Sequence, residues 1–234
     1  YSNIINQTPM RNDDRLLAIG STEPLIAAII LQLVDEGLLS LNDGLTTIIG
    51  LDPLYRVSGV QRMTVRHALM QTTGFHNHYE LLGFLNGTIG QGVDPSLIHD
   101  VSAPLSNFQL RGYRPLTDPG DKAAFSAANA TILGMVIEKI EGIPLNSSLN
   151  SRILVPSGVE SGISSFGGPD PTVNNYMDLT NTYVEVSEAL VLVDENKSLF
   201  DLSAINPSWA WAAGGVCLNA KELAQIFDSL FIGK

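Results

Sequence analysis

Residues 18–43 read AIGSTEPLIAAIILQLVDEGLLSLND, and the central part of this stretch decides the fold. From Leu25 to Glu36 the side chains are apolar nearly all round, the pattern of a helix enclosed by other elements rather than laid on a surface. Pro24 suits its first turn, Ser21 or Thr22 offers an N-cap oxygen, and Gly37 supplies the stop. Upstream, RLLAI at 15–19 reads as a short strand entering a turn at Gly20-Ser21.

Other segments are arranged around that helix. MTVRHALMQ at 63–71 predicts a short helix capped by Thr64, with Gly74 beyond its end. NATILGMVIEKIE at 129–141 is amphipathic, with Ile132, Met135, Val136 and Ile140 at helical spacing, and Gly142 and Pro144 stop it. A shorter helix follows at 147–154. Residues 75–118 show little periodicity. Residues 157–206 are rich in Gly, Ser, Pro, Asn and Asp, with a short strand expected at 183–186. WAWAAGG at 209–215 leads through Leu218-Asn219 into a last helix, 220–231. The first fourteen residues are polar and turn-rich and read as an arm. Strand signals are few, so an α+β chain with at most a partial antiparallel sheet is expected.

Composition narrows the partners. The chain has 234 residues and a formal charge of -11, which repels phosphate backbones and argues against nucleic acid and anionic membranes. The longest apolar run, Leu25 to Val34, is too short to cross a bilayer. A single cysteine, Cys217, reads as a small core residue; the alternative is a bridge to a segment outside this chain. Five N-x-S/T sequons, at Asn6, Asn86, Asn129, Asn146 and Asn196, suggest a secreted glycoprotein. Asn6 precedes a Thr-Pro pair and Asn129 reads as the cap that opens a core helix, so Asn86, Asn146 and Asn196 are the glycosylation candidates.

Four segments in order resemble the β-lactamase-related family of class C β-lactamases, DD-carboxypeptidases and related esterases: residues 18–43, MTVRHALMQTTGF at 63–75, PGDKAAFSAANATILGMVIEKIEGIP at 119–144, and WAAGGVCLNAKELAQIF at 211–227. The resemblance implies the helical part of the serine β-lactamase/DD-peptidase fold. It also implies a site of three parts: a nucleophilic serine with a lysine one turn later, a Tyr-x-Asn loop, and a Lys/His-Thr-Gly strand. The matched chain, 15–234, lacks both sheet-forming ends of that fold and is expected to be incomplete there. A separate chain or segment supplying the missing sheet is one implied partner.

The resemblance fails where the chemistry should be. Anchored on Ile19-Gly20-Ser21, Ser21 is the candidate nucleophile and Pro24 falls at the lysine. Anchored on the helix tail, Gly20 stands at the serine and Glu23 at the lysine. Glu23 is then a candidate base; the structural alternative is that residues 21–23 cap the helix. The Tyr-x-Asn motif falls on Phe125-Ser126-Ala127, which has neither the phenol nor the amide. In the family the third motif follows the Ala-Gly-Gly segment, so by the resemblance its place falls after residue 234.

Three functions follow. The first is a secreted, non-catalytic or impaired homologue with a structural or binding role. The second is a divergent serine hydrolase acting on a small ester or amide through an acyl-enzyme at Ser21. The third is a structural subunit completed by another polypeptide. No cofactor is implied: Gly167-Gly168 and Gly214-Gly215 lack a phosphate-binding pattern. His76, His78 and His99 lack the pattern of a metal site and read as surface residues, and His67 as structural. Trp209 and Trp211 alternate, which would let one face the core and the other a cleft; core packing is the default reading.

Overall fold

The computed structural model describes residues 1–3, 6–54, 57–77, 115–160, 162–163, 176–178, 183–186, 189–192, 199–201 and 210–233. Strand β1 (Leu16–Leu17) runs through Ala18 straight into helix α1 (Ile19–Asp35). Leu25, Ile26, Ile29, Ile30 and Leu33 of α1 are fully buried, as an all-round apolar segment requires. Gly37, at φ 74°, ends the helix in the left-handed conformation that glycine adopts without strain.

The start of α1 corrects the expected turn and cap. Gly20 to Pro24 lie inside the helix, Ala18 is the N-cap, and no side chain caps it. The reason is the strand. Ala18 donates its N–H to the Val216 carbonyl at 2.8 Å, so the sheet places the first turn and leaves no loop in which a capping residue could sit. Thr22 is turned backwards instead, its hydroxyl 2.9 Å from the Ala18 carbonyl. Pro24 stands in the second turn, where it has no N–H to return to the Gly20 carbonyl.

The other helices are α2 (Leu45–Ile49), α3 (Val65–Leu69), α4 (Ala127–Glu141), α5 (Leu145–Leu149) and α6 (Trp211–Gly214); α4, α5 and α6 pack on α1, and α2 and α3 pack on α4. Thr64 caps α3 as expected, within a capping box closed by the His67 side chain. Helix α4 opens at Ala127, two residues before the expected start, because Ser126 supplies the cap. It crosses α1 and α6 closely. A Cβ on Gly134 would lie 2.7 Å from the Ala212 Cβ and 2.9 Å from the Trp211 ring, so only glycine fits there. Five residues with π-helical bonding, Asn150–Leu154, continue α5. There Arg152 joins Glu36 at the end of α1 (2.6 and 2.9 Å) to Glu141 at the end of α4 (2.7 Å).

The sheet is small and antiparallel, in the order β1-β7-β2, with β7 (Val216–Leu218) paired to β1 (Leu17↔Cys217) and to β2 (Gly162–Ile163; Ile163↔Val216). Cys217 is fully buried in this middle strand. Strands β4 (Tyr183–Val186) and β5 (Ala189–Leu192) form one separate antiparallel pair. Strands β3 (Tyr176–Asp178) and β6 (Leu199–Asp201) form another. The mixed helix and partial antiparallel sheet agree with the expected class. Residues 1–14 are mostly exposed turns, with one bridge between Asn3 and Thr8.

Helix α7 (Ala220–Phe231) follows β7 directly and opens with a capping box between Asn219 and Glu222. Glu222 is also gripped by Arg15, whose Nε and Nη2 bond to its two carboxylate oxygens. Burial pushes the Glu222 carboxyl up, but the Arg15 hydrogen bonds, the Asn219 N–H and the Arg15 charge outweigh it and hold the group below its ordinary value. The carboxyl therefore ionises more readily in the folded chain than in the unfolded one. Its stabilisation is present above the ordinary glutamate range and fades as pH falls through the depressed folded value. Arg15→Met should lower the unfolding free energy by about 1–2 kcal/mol at pH 7. Urea melts should show that difference shrinking by about pH 3; an equal difference at both pH values would assign the effect to packing.

Candidate functional site

Helices α1, α3 and α4 leave an open cleft of about 300 Å³ between them. Helix α1 contributes Gly20, Glu23, Pro24 and Ala27, which at i, i+3, i+4 and i+7 form one face. Ala68 and Leu69 come from α3, Gln71 from the turn after it, and Ala130 and Leu133 from α4. Of the two registers open from sequence, the cleft gathers the pair Gly20 and Glu23. Ser21 is half-buried and is not among the described lining residues. Residues two apart on a helix do not face each other, so Ser21 and Glu23 project to different sides of α1.

The polar character of the cleft centres on Glu23. Its side chain is half-buried, and burial pushes its carboxyl up to about 7. Among the described residues no hydrogen bond or ion pair holds it, and no cation pulls the value back. At Gly20 the cleft holds only backbone. A Cβ placed there would meet nothing within 4 Å, so a larger side chain would fit.

The far wall is fixed by buried polar groups that the sequence reading missed. Gln71, at φ 57°, accepts the Ser126 N–H (2.9 Å) and the Asn129 Nδ2 (2.6 Å) on its Oε1. Asn129 is fully buried and accepts the Thr73 hydroxyl at 2.6 Å. Ser126 donates its hydroxyl to the His76 carbonyl (2.8 Å), and Asn77 accepts the Ala127 N–H (3.3 Å). The backbone carbonyls of Gln71, Thr72 and Gly74 take N–H bonds from Ala124, Gly120 and Leu116. Gly74, at φ 79°, has the Thr117 carbonyl 2.3 Å from where its Cβ would be. The only local hint was a glutamine directly after a helix and before Thr-Thr-Gly.

Within this frame Phe125 is 57% exposed, and Ala127 is buried in a cluster with Ala130 and Ala213. Ser126 acts as the α4 cap and Asn129 as a buried connector, which corrects the expectation of a cap at Asn129. Burial also keeps the Asn129 sequon from a glycan in the folded chain. Asn6 is exposed. Asn146 is half-buried and its Oδ1 accepts the Ile163 N–H at 3.0 Å. Asn86, Asn196, His78, His99 and Trp209 lie outside the described residues. Trp211 is buried, and His67 accepts the Thr64 N–H at 3.2 Å. Among the described residues no group of three His, Cys, Asp or Glu could hold a metal.

Two measurements test this geometry. Asn129→Ala removes partners of Thr73 and Gln71 and should cost about 2–3 kcal/mol in a urea melt; an unchanged midpoint would dissolve the network. A ¹³C-carboxyl titration should place Glu23 near 7. A Glu23 carboxyl fully ionised at pH 5.5 would mean that water or a cation reaches it freely.

Comparison with known proteins adds a family and a fold. Residues 1–233 match the family model described as Beta-lactamase. Protein Rv1367c of Mycobacterium tuberculosis (strain ATCC 25618 / H37Rv) is 28% identical over 176 residues, covering 68% of this chain and 41% of that protein. The chain thus spans well under half the length of this relative. Among solved structures, a D-stereospecific amidohydrolase from Streptomyces sp. superposes with a TM-score of 0.74 at 26% identity. The match covers 93% of this chain and 61% of that one. The D-amino acid amidase of Ochrobactrum anthropi SV3, complexed with L-phenylalanine amide, has a TM-score of 0.75 at 20% identity, covering 100% and 61%. A penicillin binding protein from Bacillus halodurans has a TM-score of 0.71 at 19% identity, covering 98% and 64%. The last two likenesses are of fold alone.

Proposed function

This chain belongs to the Beta-lactamase family and has its serine-hydrolase fold, and from that premise we propose a secreted, non-catalytic member whose cleft binds a small ligand without turning it over. The observation that carries the reading is the pair Gly20 and Glu23, side by side on the cleft face of α1. These are the positions at which the family resemblance, anchored on the helix tail, puts a serine and a lysine. Acyl transfer needs a nucleophile and a group that takes its proton. Gly20 offers no hydroxyl. Glu23 replaces a cation with a carboxylate, which reverses the electrostatics that would favour an alkoxide.

The Tyr-x-Asn positions support the same reading, because Phe125 has no phenol to move a proton and Ala127 no amide. A hydrolase working through Ser21 is the weaker alternative. A carboxylate poised near 7 would suit a general base, but Ser21 and Glu23 lie on different sides of the helix. Secretion is supported by the five sequons in the sequence. A second segment extending the three-stranded sheet belongs to the proposal too, as does the reading of this chain as a structural subunit completed in that way.

The direct test is covalent labelling of the full chain with a fluorophosphonate and with a fluorescent penicillin, read by intact mass. No adduct is expected on the natural sequence. An adduct on Ser21 that disappears in Ser21→Ala would overturn the reading. The double variant Gly20→Ser, Glu23→Lys should by contrast gain slow penicillin labelling at residue 20.

A further inference from the structure

We infer that the α1–α3–α4 cleft is a site for a compact primary ammonium ligand with an apolar body, its charge received by Glu23. This rests on the proposal that the cleft binds rather than reacts. It deepens that proposal by naming the ligand class.

Three features of the cleft point to such a ligand. The first is the carboxylate itself, half-buried and without a counter-ion among the described residues. A desolvated carboxylate is costly unless paired, so a cation gains more here than at the surface, while a neutral ligand would leave the carboxylate unpaired. The second feature lies one turn earlier. Pro24 lacks the N–H that would normally engage the Gly20 carbonyl, so that carbonyl has no donor one turn later, and both residues line the cleft. An ammonium group has three N–H donors, enough for both acceptors and a water. The third is the rest of the wall, where Ala27, Ala68 and Leu133 are apolar. At about 300 Å³ the cleft is at the small end of ligand pockets, which selects a compact body.

Other cations fit less well. A divalent metal needs several oxygen ligands, and no three-residue group of His, Cys, Asp or Glu exists among the described residues. The formal charge of -11 adds a general field that draws any cation toward the surface.

The titration of Glu23 fits the inference. With burial holding its carboxyl at about 7, a bound ammonium must displace a proton at acidic pH and meets an ionised partner above 7. No other described residue lining the cleft titrates. On the elements packed around it, His67 of α3 is engaged at its own helix cap, and Arg66 of α3 is exposed and donates to the Asn42 Oδ1. Glu138, Lys139 and Glu141 sit in the last turn of α4, remote from Ala130 and Leu133.

Isothermal titration of the full chain with benzylamine and with benzyl alcohol, its neutral near-isostere, tests the inference. At pH 8 benzylamine should bind about tenfold more tightly than the alcohol, and at pH 5.5 the ratio should fall toward one. Glu23→Gln, which keeps shape and removes charge, should abolish the preference, while Glu23→Asp should keep part of it. Equal affinities for the two probes at pH 8, no binding of either, or an amine preference that survives in Glu23→Gln would each overturn the inference. These outcomes separate it from the parent reading. A covalent adduct on the natural sequence ends the non-catalytic proposal, whereas loss of amine selectivity with no adduct ends only this inference.

Discussion

Enclosure of helix α1 is the constraint on which the rest of the molecule depends. Leu25, Ile26, Ile29, Ile30 and Leu33 are fully buried, each contributing about 1.5–3 kcal/mol once removed from water. A helix apolar on so many sides cannot be satisfied by one neighbour, so α4, α6 and the small sheet must close on it from different directions. Close approach is part of that solution. At Gly134 and Gly214 a Cβ would fall within 3.2 Å of Trp211, Ala212 or Ile19. The cleft follows from the same geometry. It is the part of α1, near its first turns, where the enclosing helices diverge and the facing residues are Gly20, Glu23 and Pro24 rather than leucine or isoleucine.

What could be read from the sequence, and what could not, divides along local and non-local causes. Helix α7 and the strand at 183–186 emerge at the expected residues, because the capping box at Asn219 and the alternation of Tyr183–Val186 are signals carried within a few positions. The Thr64 cap is legible for the same reason. The first turn of α1 is not. Its start is set by a hydrogen bond from Ala18 to Val216, nearly two hundred positions along the chain, and capping rules presume a helix that begins from a loop. Asn129 has the local appearance of a cap, but its partners are Thr73 and Gln71. A polar residue buried by a distant segment looks from its own neighbourhood like a surface residue.

The candidate site was legible in composition and not in arrangement. Both registers of the motif were open, and either one lost the lysine. Three-dimensional placement brings Gly20 and Glu23 to a common face and sets Ser21 apart from them. This distinction matters chemically. A serine beside a carboxylate could be activated, whereas a glycine beside a carboxylate offers no hydroxyl to acylate.

The frame of the site is held by side chains other than those at positions 20 and 23. Gln71, Thr73, Ser126 and Asn129 hold the turn after α3 against the start of α4 through hydrogen bonds that touch none of the altered positions' functional groups. Buried polar groups of this kind are tolerated only when each is satisfied, so the network specifies one geometry whatever stands at positions 20, 23, 125 and 127. On the register that puts a lysine at position 23, the carboxylate of Glu23 gives the cleft the opposite sign of charge. A fold does not determine what its site does; on the proposed reading, walls that would favour an anion around a lysine favour a cation around Glu23.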